Sequence, residues 1–552
     1  MRPARSFSGL AVGLLLALVS APQPTRAAEL PLPPAEFEAK LVELGEHVRQ
    51  RTVLIYGLIG LGSGAVVAHD GTIVTNAHVV AASRYALVQW ADGRTVLAKR
   101  RGIDYGRDLA VLVPEEPLPE AVPAFALAAA SPAEGQWVVA CGFPGGLRTT
   151  DAPTVSVGTI MGFGAEMNVG GMLDYQGALR SDTPIFSGNS GGPLVDLEGR
   201  LVGINGAVDL ERAVSLTIPV GVVRERMAQL TDEQILLPGG RTISPRENRL
   251  LEGLYDALDP IARRLPERVA EASRQAASAT ESLPLDLVPA GEPGTSQDRM
   301  AGIARDMPRQ RALDSAFAGP ATDGMVAVED AIHLTPVSHL HVVCKASLLG
   351  AREQLTVGAL TARRIAVSEA DDLALLQLSD PQEAAPVDAP LSRVGSLIHV
   401  RGRTGLLASG IVSAEARPTS ASVLARIQGG GGMGDQLEGA LGFAEGLADR
   451  LGIAQVQELI EQIRKSIEVR RQFSAGTPPR SYAEVLSVDA PLPPSMAGAP
   501  VYDLEGRLVG PSVGVAHHGT AYVVPMLRVR QVFAAHLPGG LYPEHLGEAR
   551  LY

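Results

Sequence analysis

Cysteine is scarce in this sequence, with only Cys141 and Cys344 among 552 residues. Such a count excludes a disulfide-rich scaffold, and no cysteine or histidine group has the spacing of a zinc site. We therefore expect no metal ion and no cofactor. Each cysteine lies in an apolar run typical of a strand, in a different half of the chain. We expect two buried free thiols, with a single disulfide as the alternative.

Basic side chains are also in deficit, since 48 Lys and Arg stand against 60 Asp and Glu, a net charge of −12. This balance argues against nucleic acid as a partner. The hydrophobic content of 46% and the charged content of 20% are ordinary for a globular protein. The 60 Gly and 40 Pro indicate many turns, as an all-β fold needs.

Long apolar runs are missing except at the start of the chain. Two arginines precede Gly9–Ala21, and small residues follow at Thr25–Ala27. This pattern predicts a secretory signal peptide over 1–27 and a mature chain that begins near Ala28. The run is short for a bilayer span, although an uncleaved anchor is the alternative. We expect export to the periplasm or the outside of the cell, with no membrane span after signal removal.

The octapeptide DLEGRLVG occurs twice, at Asp196–Gly203 and Asp503–Gly510. Asp-x-x-Gly between apolar runs predicts a hairpin turn, so the octapeptide is expected to be structural. Four further blocks recur around it in the same order, and together they indicate a tandem duplication. The paired blocks are 76–83 with 339–347, 107–114 with 371–378, 155–162 with 407–414, and 216–230 with 522–537.

Two stretches have helical periodicity outside the repeated blocks. One connects the copies, and the other, which opens with GGGGMG, is an insertion in the second copy. The rest consists of short Val, Ile and Leu runs separated by Gly and Pro, which predicts strands. The expected division is a signal peptide (1–27), a first copy (28–232), a helical linker (233–310), a second copy (311–540) with a helical insertion (429–476), and a tail (541–552).

The run GNSGGPL at 188–194 carries the sharpest chemical signal. A serine nucleophile needs an exposed hydroxyl, and glycines let the backbone point N–H groups at a developing oxyanion. Ser190 is the predicted nucleophile. Gly188 and Ser190 are the predicted oxyanion donors, and Asn189 is expected to shape the loop.

Serine alone is a poor nucleophile, so it needs a positioned base and a group that orients the base. His78 in TNAHVV and Asp108 in RDLAVL supply these two functions. The order His, Asp, Ser along the chain is that of the chymotrypsin arrangement and differs from the subtilisin order. Any one of the three residues alone would be weak support, but the joint pattern predicts a catalytic triad.

With these motifs in order, the sequence resembles the trypsin-like serine proteases of the bacterial Deg/HtrA-like branch. The resemblance covers about 50–232, through GSGAVVAHDGTIVTNAHVV, DLAVL and GNSGGPLV, and weakly about 320–537. It implies an all-β fold of tandem double β-barrels, with six strands per barrel and the active site between the barrels. It also implies an exported serine endopeptidase acting on proteins or peptides, with unfolded chains as one option.

The resemblance also implies a substrate pocket. Digestive trypsins carry an Asp six residues before the nucleophile, where this chain has Pro184, so a preference for Lys or Arg is not expected. The expected walls of a pocket for small or medium apolar side chains come from Pro184, Ser215, Leu216 and Thr217. Asp182 is expected to support the loop and not to bind substrate.

The second copy lacks the serine signature. When the octapeptides are aligned, Ala497 stands opposite Ser190, while His341 and Asp372 stand opposite His78 and Asp108. The second copy is therefore interpreted as a pseudoprotease with a structural or partner-binding function. A protease-fold scaffold in which neither copy is active is the alternative for the whole chain. No peptide-binding PDZ domain, which many Deg/HtrA-like proteins carry, is recognisable, and the sequence leaves the oligomeric state open.

Overall fold

The structure is a computed structural model. The predicted signal peptide, the predicted helical insertion 429–476 and the tail 541–552 lie outside the residues it describes. Those residues are 29–278 and 303–537, without 59, 145–152, 166–167, 170–172, 176, 186–187, 210–211, 213, 318–327, 330–331, 358–359, 383–385, 391, 403–404, 418–483, 494–495 and 517–519.

The first copy begins with a six-stranded barrel. Its strands follow the order β5-β4-β1-β2-β3-β6, and pairing of β5 with β6 closes it. Val, Ile and Leu fill these strands, and β1 is buried along its whole length. A short helix α2 (Ala77–Val80) follows β3. The strands are β1 (Thr52–Tyr56), β2 (Leu61–Val66), β3 (Ile73–Thr75), β4 (Tyr85–Gln89), β5 (Thr95–Asp104) and β6 (Leu109–Pro114).

A second closed barrel completes the first copy, in the order β11-β14-β13-β12-β7-β8. A small hairpin of β9 (Asn168–Val169) and β10 (Leu173–Asp174) stands outside it, and helix α3 (Val220–Gln229) follows it. The barrel strands are β7 (Trp137–Gly142), β8 (Thr154–Ala165), β11 (Ala178–Ser181), β12 (Pro193–Asp196), β13 (Leu201–Asp209) and β14 (Val214–Pro219).

The linker predicted to be helical from 233 begins with two strands. β15 (Gln234–Leu237) pairs in parallel with β5 and antiparallel with β16 (Arg241–Thr242), so both extend the first barrel's sheet. Helices α4 (Pro245–Ala262) and α5 (Leu265–Ser278) follow. A capping box of Ser244 and Glu247 starts α4. The apolar face of α4 packs into the core of the first barrel, so this part of the linker belongs structurally to the first copy.

The second copy repeats much of this architecture. Its second half is a closed barrel in the order β24-β25-β26-β29-β28-β27, which matches the strand order of the corresponding first-copy barrel. The strands are β24 (Leu397–Gly402), β25 (Gly405–Arg417), β26 (Val485–Val488), β27 (Pro500–Asp503), β28 (Leu508–Ala516) and β29 (Thr520–Val523), and α8 (Met526–Val532) follows.

The first half of the second copy differs from the six-stranded barrel that the resemblance implied. Within the described residues it is a five-stranded sheet in the order β19-β20-β23-β22-β21, beside a two-stranded pair, β17–β18. Its elements are β17 (Val328–Glu329), β18 (Ile332–His333), β19 (Thr335–Pro336), β20 (His341–Lys345), α7 (Ala346–Leu349), β21 (Gln354–Val357), β22 (Leu360–Ser368) and β23 (Leu373–Leu378). The all-β tandem organisation is confirmed, and this half is its most reduced part.

The octapeptide forms the β12–β13 hairpin in the first copy and the β27–β28 hairpin in the second. Gly199 and Gly506 have φ of 77° and 78°, the left-handed conformation that favours glycine. Asp196 accepts the backbone N–H and the Nε–H of Arg200, and Asp503 binds Arg507 in the same way. The predicted hairpin turn of the octapeptide is therefore confirmed in both copies.

Both cysteines are buried free thiols, as expected. They lie on β7 and β20, one in each copy. Burial raises the pKa of each thiol to about 12, so neither is a reactive thiolate at neutral pH. Among the residues that the structure describes, no helix is long and apolar enough to cross a membrane.

Two helices outside the barrels join the copies through one apolar core. Helix α1 (Pro34–Arg49) buries Phe37 and Leu41, and α6 (Pro308–Ser315) buries Leu313. The same cluster contains side chains of the first copy's second barrel and Leu397 and Ile411 of the second copy. The two copies thus share a hydrophobic core.

Replacing Leu313 by Ala should destabilise the whole chain. Leu313 is fully buried between the copies, so the cavity should lower the free energy of unfolding by about 2–5 kcal/mol in urea titrations. Leu527→Ala removes the same atoms from a side chain that is 41% exposed, and should cost no more than about 0.5 kcal/mol. Equal effects of the two substitutions would contradict a shared core.

Candidate active site

Asp108 occupies the turn between β5 and β6 with φ of 52°, a left-handed conformation uncommon for residues other than glycine. Its side chain is only 1% exposed. One carboxylate oxygen accepts the backbone N–H of His78 at 3.0 Å, and His78 Nδ1 lies 2.9 Å from the other oxygen. The carboxylate therefore fixes both the start of α2 and the imidazole that α2 carries, and it favours the tautomer with a proton on Nδ1.

The segment between β10 and β11 supplies a further donor to the same carboxylate. The Tyr175 hydroxyl donates to Asp108 Oδ2 at 2.6 Å, and both groups are buried. Burial, followed by the neighbouring carboxylate, raises the pKa of Tyr175 well above its usual value, which keeps the hydroxyl protonated as a donor. Gly206 permits this approach, because a Cβ at that position would collide with the Tyr175 ring.

Ser190 lies on a tight loop, 188–192, that we call the serine loop. Gly188 and Gly191 have φ of 102° and 83°. A Cβ at Gly191 would collide with Thr75 and with the backbone of Ser63, so this position admits only glycine. The Ser190 hydroxyl is half-buried, and it donates to the carbonyl oxygen of Gly206 at 3.3 Å.

Ser63 on β2 holds the serine loop from the first barrel. Its hydroxyl donates to the carbonyl of Gly188 at 2.7 Å, and its N–H donates to the carbonyl of Ser190 at 2.8 Å. Two carbonyls of the loop are thus engaged by one buried residue. Within the described part of the chain, the N–H groups of Gly188 and Ser190 donate to no protein acceptor. The loop therefore keeps two backbone donors for an incoming oxygen, as an oxyanion hole requires, and Asn189 lies buried between them.

The predicted pocket residues fall on two neighbouring segments. Ser215 donates from β14 to the carbonyl of Thr183 at 2.5 Å, and Ser156 donates from β8 to the carbonyl of Pro184 at 2.6 Å. Thr217, two residues from Ser215 and therefore on the same face of β14, donates to the side chain of Asn205 at 3.1 Å. Leu216 has the opposite orientation, and its side chain belongs to the core shared by the two copies.

Asp182 supports the loop, as expected. It is 6% exposed, and its Oδ1 accepts the backbone N–H of Thr159 on β8 at 2.6 Å. Its Oδ2 accepts the backbone N–H of Arg309, in the first turn of α6, at 2.7 Å. An N–H group in the first turn of a helix has no partner within that helix, so a carboxylate is a favourable acceptor there.

The second copy preserves the aspartate but not the histidine. Asp372 has φ of 50°, and it accepts the N–H and the hydroxyl of Ser347 at 2.8 and 2.7 Å. Ser347 lies on α7 where His78 lies on α2. The alignment of His341 with His78 is therefore wrong, since His341 starts β20 and bonds to Ser338 Oγ at 2.8 Å. The shared letters HVV belong to a helix in one copy and a strand in the other.

The predicted alignment of Ala497 with Ser190 agrees with the backbone hydrogen bonds. In the first copy, Gly191 N donates to Asn205 O and Gly192 N donates to Asn189 O. In the second, the corresponding donors and acceptors are Gly498 N to Ser512 O and Ala499 N to Met496 O. One residue before Gly191 is Ser190, and one residue before Gly498 is Ala497. A methyl group thus stands where the first copy has the hydroxyl.

The sequence motifs did not predict three residues of this site: Ser63, Tyr175 and Gly206. Ser63 lies within the motif GSGAVV, between two glycines on a strand, which is a signal of close backbone approach. Gly206 offers the same signal in INGAV. Tyr175 follows the short strand β10 and has no periodic pattern around it, so nothing in the sequence indicated its contact with Asp108.

A paired histidine and aspartate in a double β-barrel, with a glycine-rich serine loop nearby, resemble the site of a trypsin-like peptidase domain. The family described as trypsin-like peptidase domain matches residues 62–204. Serine protease HTRA1B of Danio rerio is 36% identical over 178 residues, which are 32% of this chain and 36% of that protein. A probable periplasmic serine endoprotease, DegP-like, of Hahella chejuensis is 38% identical over 176 residues, 31% of this chain and 35% of its own.

A third relative, the putative serine protease HhoA of Synechocystis sp., is 37% identical over 166 residues, 30% of this chain and 41% of that protein. The chain thus matches less than half the length of each of these relatives. The resemblance of the first copy to the Deg/HtrA-like proteases is confirmed.

Replacing Tyr175 by Phe should slow the reaction of Ser190 with a fluorophosphonate by about tenfold, because a buried carboxylate loses one donor. The rate of covalent labelling, followed by gel fluorescence, measures this. Tyr85→Phe is the matched control, since its hydroxyl accepts a hydrogen bond from Arg263 on the outside of the first barrel. An unchanged rate for Tyr175→Phe would show that this hydroxyl does not help to position Asp108 and His78.

Proposed function

We propose that the first copy is a serine endopeptidase that hydrolyses peptide bonds through an acyl-enzyme. The observation that carries this proposal is the buried Asp108 carboxylate paired with His78 across from a serine loop with two unengaged N–H groups. His78 is partly exposed, with 39% of its side chain accessible, as a base that must meet substrate requires. The named activity of the relatives, serine protease, supports the same conclusion.

In the first half of the reaction, Ser190 Oγ attacks the scissile carbonyl carbon. The hydroxyl has one proton, so it must leave the Gly206 carbonyl and donate to Nε2 of His78. His78 accepts that proton, and Asp108 stabilises the imidazolium through the Nδ1–H bond. The carbonyl oxygen becomes an oxyanion that accepts the N–H groups of Gly188 and Ser190. His78 then gives the proton to the leaving amine, and the peptide C–N bond breaks.

In the second half, water attacks the acyl-enzyme ester. His78 again accepts a proton, this time from the water, and returns it to Ser190 Oγ as the ester C–O bond breaks. Ser63 and Tyr175 act as positioning residues in both halves. Ser63 holds the serine loop against β2, while Tyr175 and the His78 N–H hold Asp108 between the barrels.

The substrates are proteins or peptides, and the site of action is outside the cytoplasm, in the periplasm or beyond the cell. The basic residues and apolar run of 1–27 support export. The relative described as a probable periplasmic endoprotease supports it as well. The first copy is the active unit, because the second has Ala497 and Ser347 where catalysis needs a serine and a histidine.

The second copy has a structural function in this proposal. Its barrel shares a hydrophobic core with the first copy through α1 and α6, and its octapeptide hairpin retains the turn geometry of the first. A partner-binding function of the insertion 429–476 is the other option that the sequence offers.

Replacing Ser190 by Ala should abolish hydrolysis of a denatured protein substrate, with a loss on the order of 10⁶ in kcat. Ser347→Ala is the matched control in the second copy, and it should retain full turnover. Hydrolysis is followed by release of fluorescent peptides. Wild-type turnover by Ser190→Ala, or fluorophosphonate labelling of the second copy in that variant, would refute the assignment of the active serine.

Cleavage should favour small or medium apolar residues before the scissile bond. The pocket position that carries an acidic residue in digestive trypsins is Pro184, and Ser215 and Thr217 are neutral. A basic side chain would therefore lose its hydration without gaining an ionic partner. Mass spectrometry of the products of a denatured substrate gives the cut-site profile. A profile dominated by Lys and Arg would be incompatible with this pocket.

A further inference from the structure

Asp489 occupies the same place in the second copy as Asp182 in the first. Asp182 follows β11, and Asp489 follows β26, the corresponding strand. Asp182 Oδ1 accepts the N–H of Thr159 on β8 at 2.6 Å, and Asp489 Oδ1 accepts the N–H of Ile411 on β25 at 2.6 Å. One oxygen of each carboxylate thus makes an equivalent bond within its own barrel.

The second oxygen of Asp489 reaches into the other copy. It accepts the N–H of Val157 on β8 at 3.1 Å, and Arg309 Nη2 lies 2.9 Å from it. Arg309 Nη2 also donates to the Asp489 carbonyl at 2.6 Å. The backbone N–H of the same arginine binds Asp182. Arg309 therefore connects the two equivalent aspartates, one through its main chain and the other through its side chain.

These contacts converge on the predicted substrate pocket. Val157 lies between Ser156, which binds the carbonyl of Pro184, and Thr159, which binds Asp182. The wall 182–184 is thus held by β8 and by the start of α6. Asp489 binds the backbone of β8 and the side chain of Arg309 on α6.

The cluster is closed to water. Arg309 is 3% exposed, and Asp489 is 1% exposed. Burial raises the pKa of Asp489 to about 6 and also raises the pKa of Asp182, while Arg309 opposes the shift in both cases. The buried Asp489 carboxylate needs the Arg309 guanidinium as a donor. If the carboxylate lost its charge, the buried guanidinium could not reach solvent instead. Loss of the Asp489 charge should therefore move Arg309, and with it the N–H that binds Asp182.

We propose that Asp489 is a positioning residue for the substrate pocket of the first copy, so that the second copy completes in cis the specificity wall 182–184. This inference rests on the proposed function, since it assumes that the first copy binds and cleaves peptides. It gives the catalytically silent copy a defined contribution to the reaction of the other copy.

The test compares full-length Asp489→Asn with the wild type on an apolar peptide substrate. We expect KM to rise about tenfold, as for loss of a charged hydrogen-bond partner, while kcat changes less than threefold. Labelling of Ser190 by a small fluorophosphonate, which needs His78 and Ser190 but not the pocket wall, should stay within twofold. Arg309→Lys keeps the charge and the backbone N–H, and should raise KM by a smaller factor.

Asp371→Asn is the matched control. Asp371 is fully buried and pairs with Arg528 inside the second copy, so it should leave KM unchanged at equal folded content by circular dichroism. An unchanged KM in both folded Asp489→Asn and Arg309→Lys would overturn the proposal. The proposal would also be overturned if Asp371→Asn raised KM and lowered kcat and the labelling rate to the same extent as Asp489→Asn. Absence of labelling in the wild type would instead overturn the proposed function itself, and this inference with it.

Discussion

A buried aspartate in a left-handed turn is the constraint on which the site depends. Asp108 is poorly solvated and conformationally unusual, so its carboxylate needs several donors. It takes them from the helix after β3 and from Tyr175, in the segment between β10 and β11. The same bonds that satisfy the carboxylate align the imidazole and join the two barrels. Asp372 retains the turn and the helix contact, which indicates that the aspartate organises the fold even where the histidine is absent.

The serine loop is limited by space as much as by hydrogen bonding. Ser63 engages two of its carbonyls, and Gly191 passes so close to Ser63 that a side chain there would collide. Because Ser63 binds the carbonyls of Gly188 and Ser190 on one side of the loop, the N–H groups of the same two residues remain available to an acceptor on the other side. The arrangement of these two N–H groups thus follows from close packing of loop and strand, and not from the serine itself. In the second copy, Gly498 keeps a left-handed φ of 99° although the serine is gone.

The fold and the site could be predicted from the sequence where function requires particular residues in a fixed order. The barrels, the hairpin octapeptide, the pairing of His78 with Asp108 and the opposition of Ala497 to Ser190 could all be predicted from motifs and repeats. The alignment of His341 with His78 is wrong because the residues HVV lie on a strand in the second copy and on a helix in the first. The true counterpart of His78 is Ser347, a different type of residue. Contacts such as Tyr175 with Asp108 join segments distant in sequence, and no local pattern encodes them.

The second barrels of the two copies have the same strand order but different surroundings. A single connecting helix cannot present the same group to both, so Asp182 receives the main chain of Arg309 and Asp489 receives its side chain. Because the contact between the copies is intramolecular, it forms at a high effective concentration. A separate regulatory subunit would have to bind tightly to match it. The buried Asp489 carboxylate and the apolar side chains of the second copy complete the structure of its neighbour. This accounts for a second copy in which the turn and core residues persist and the reactive ones do not.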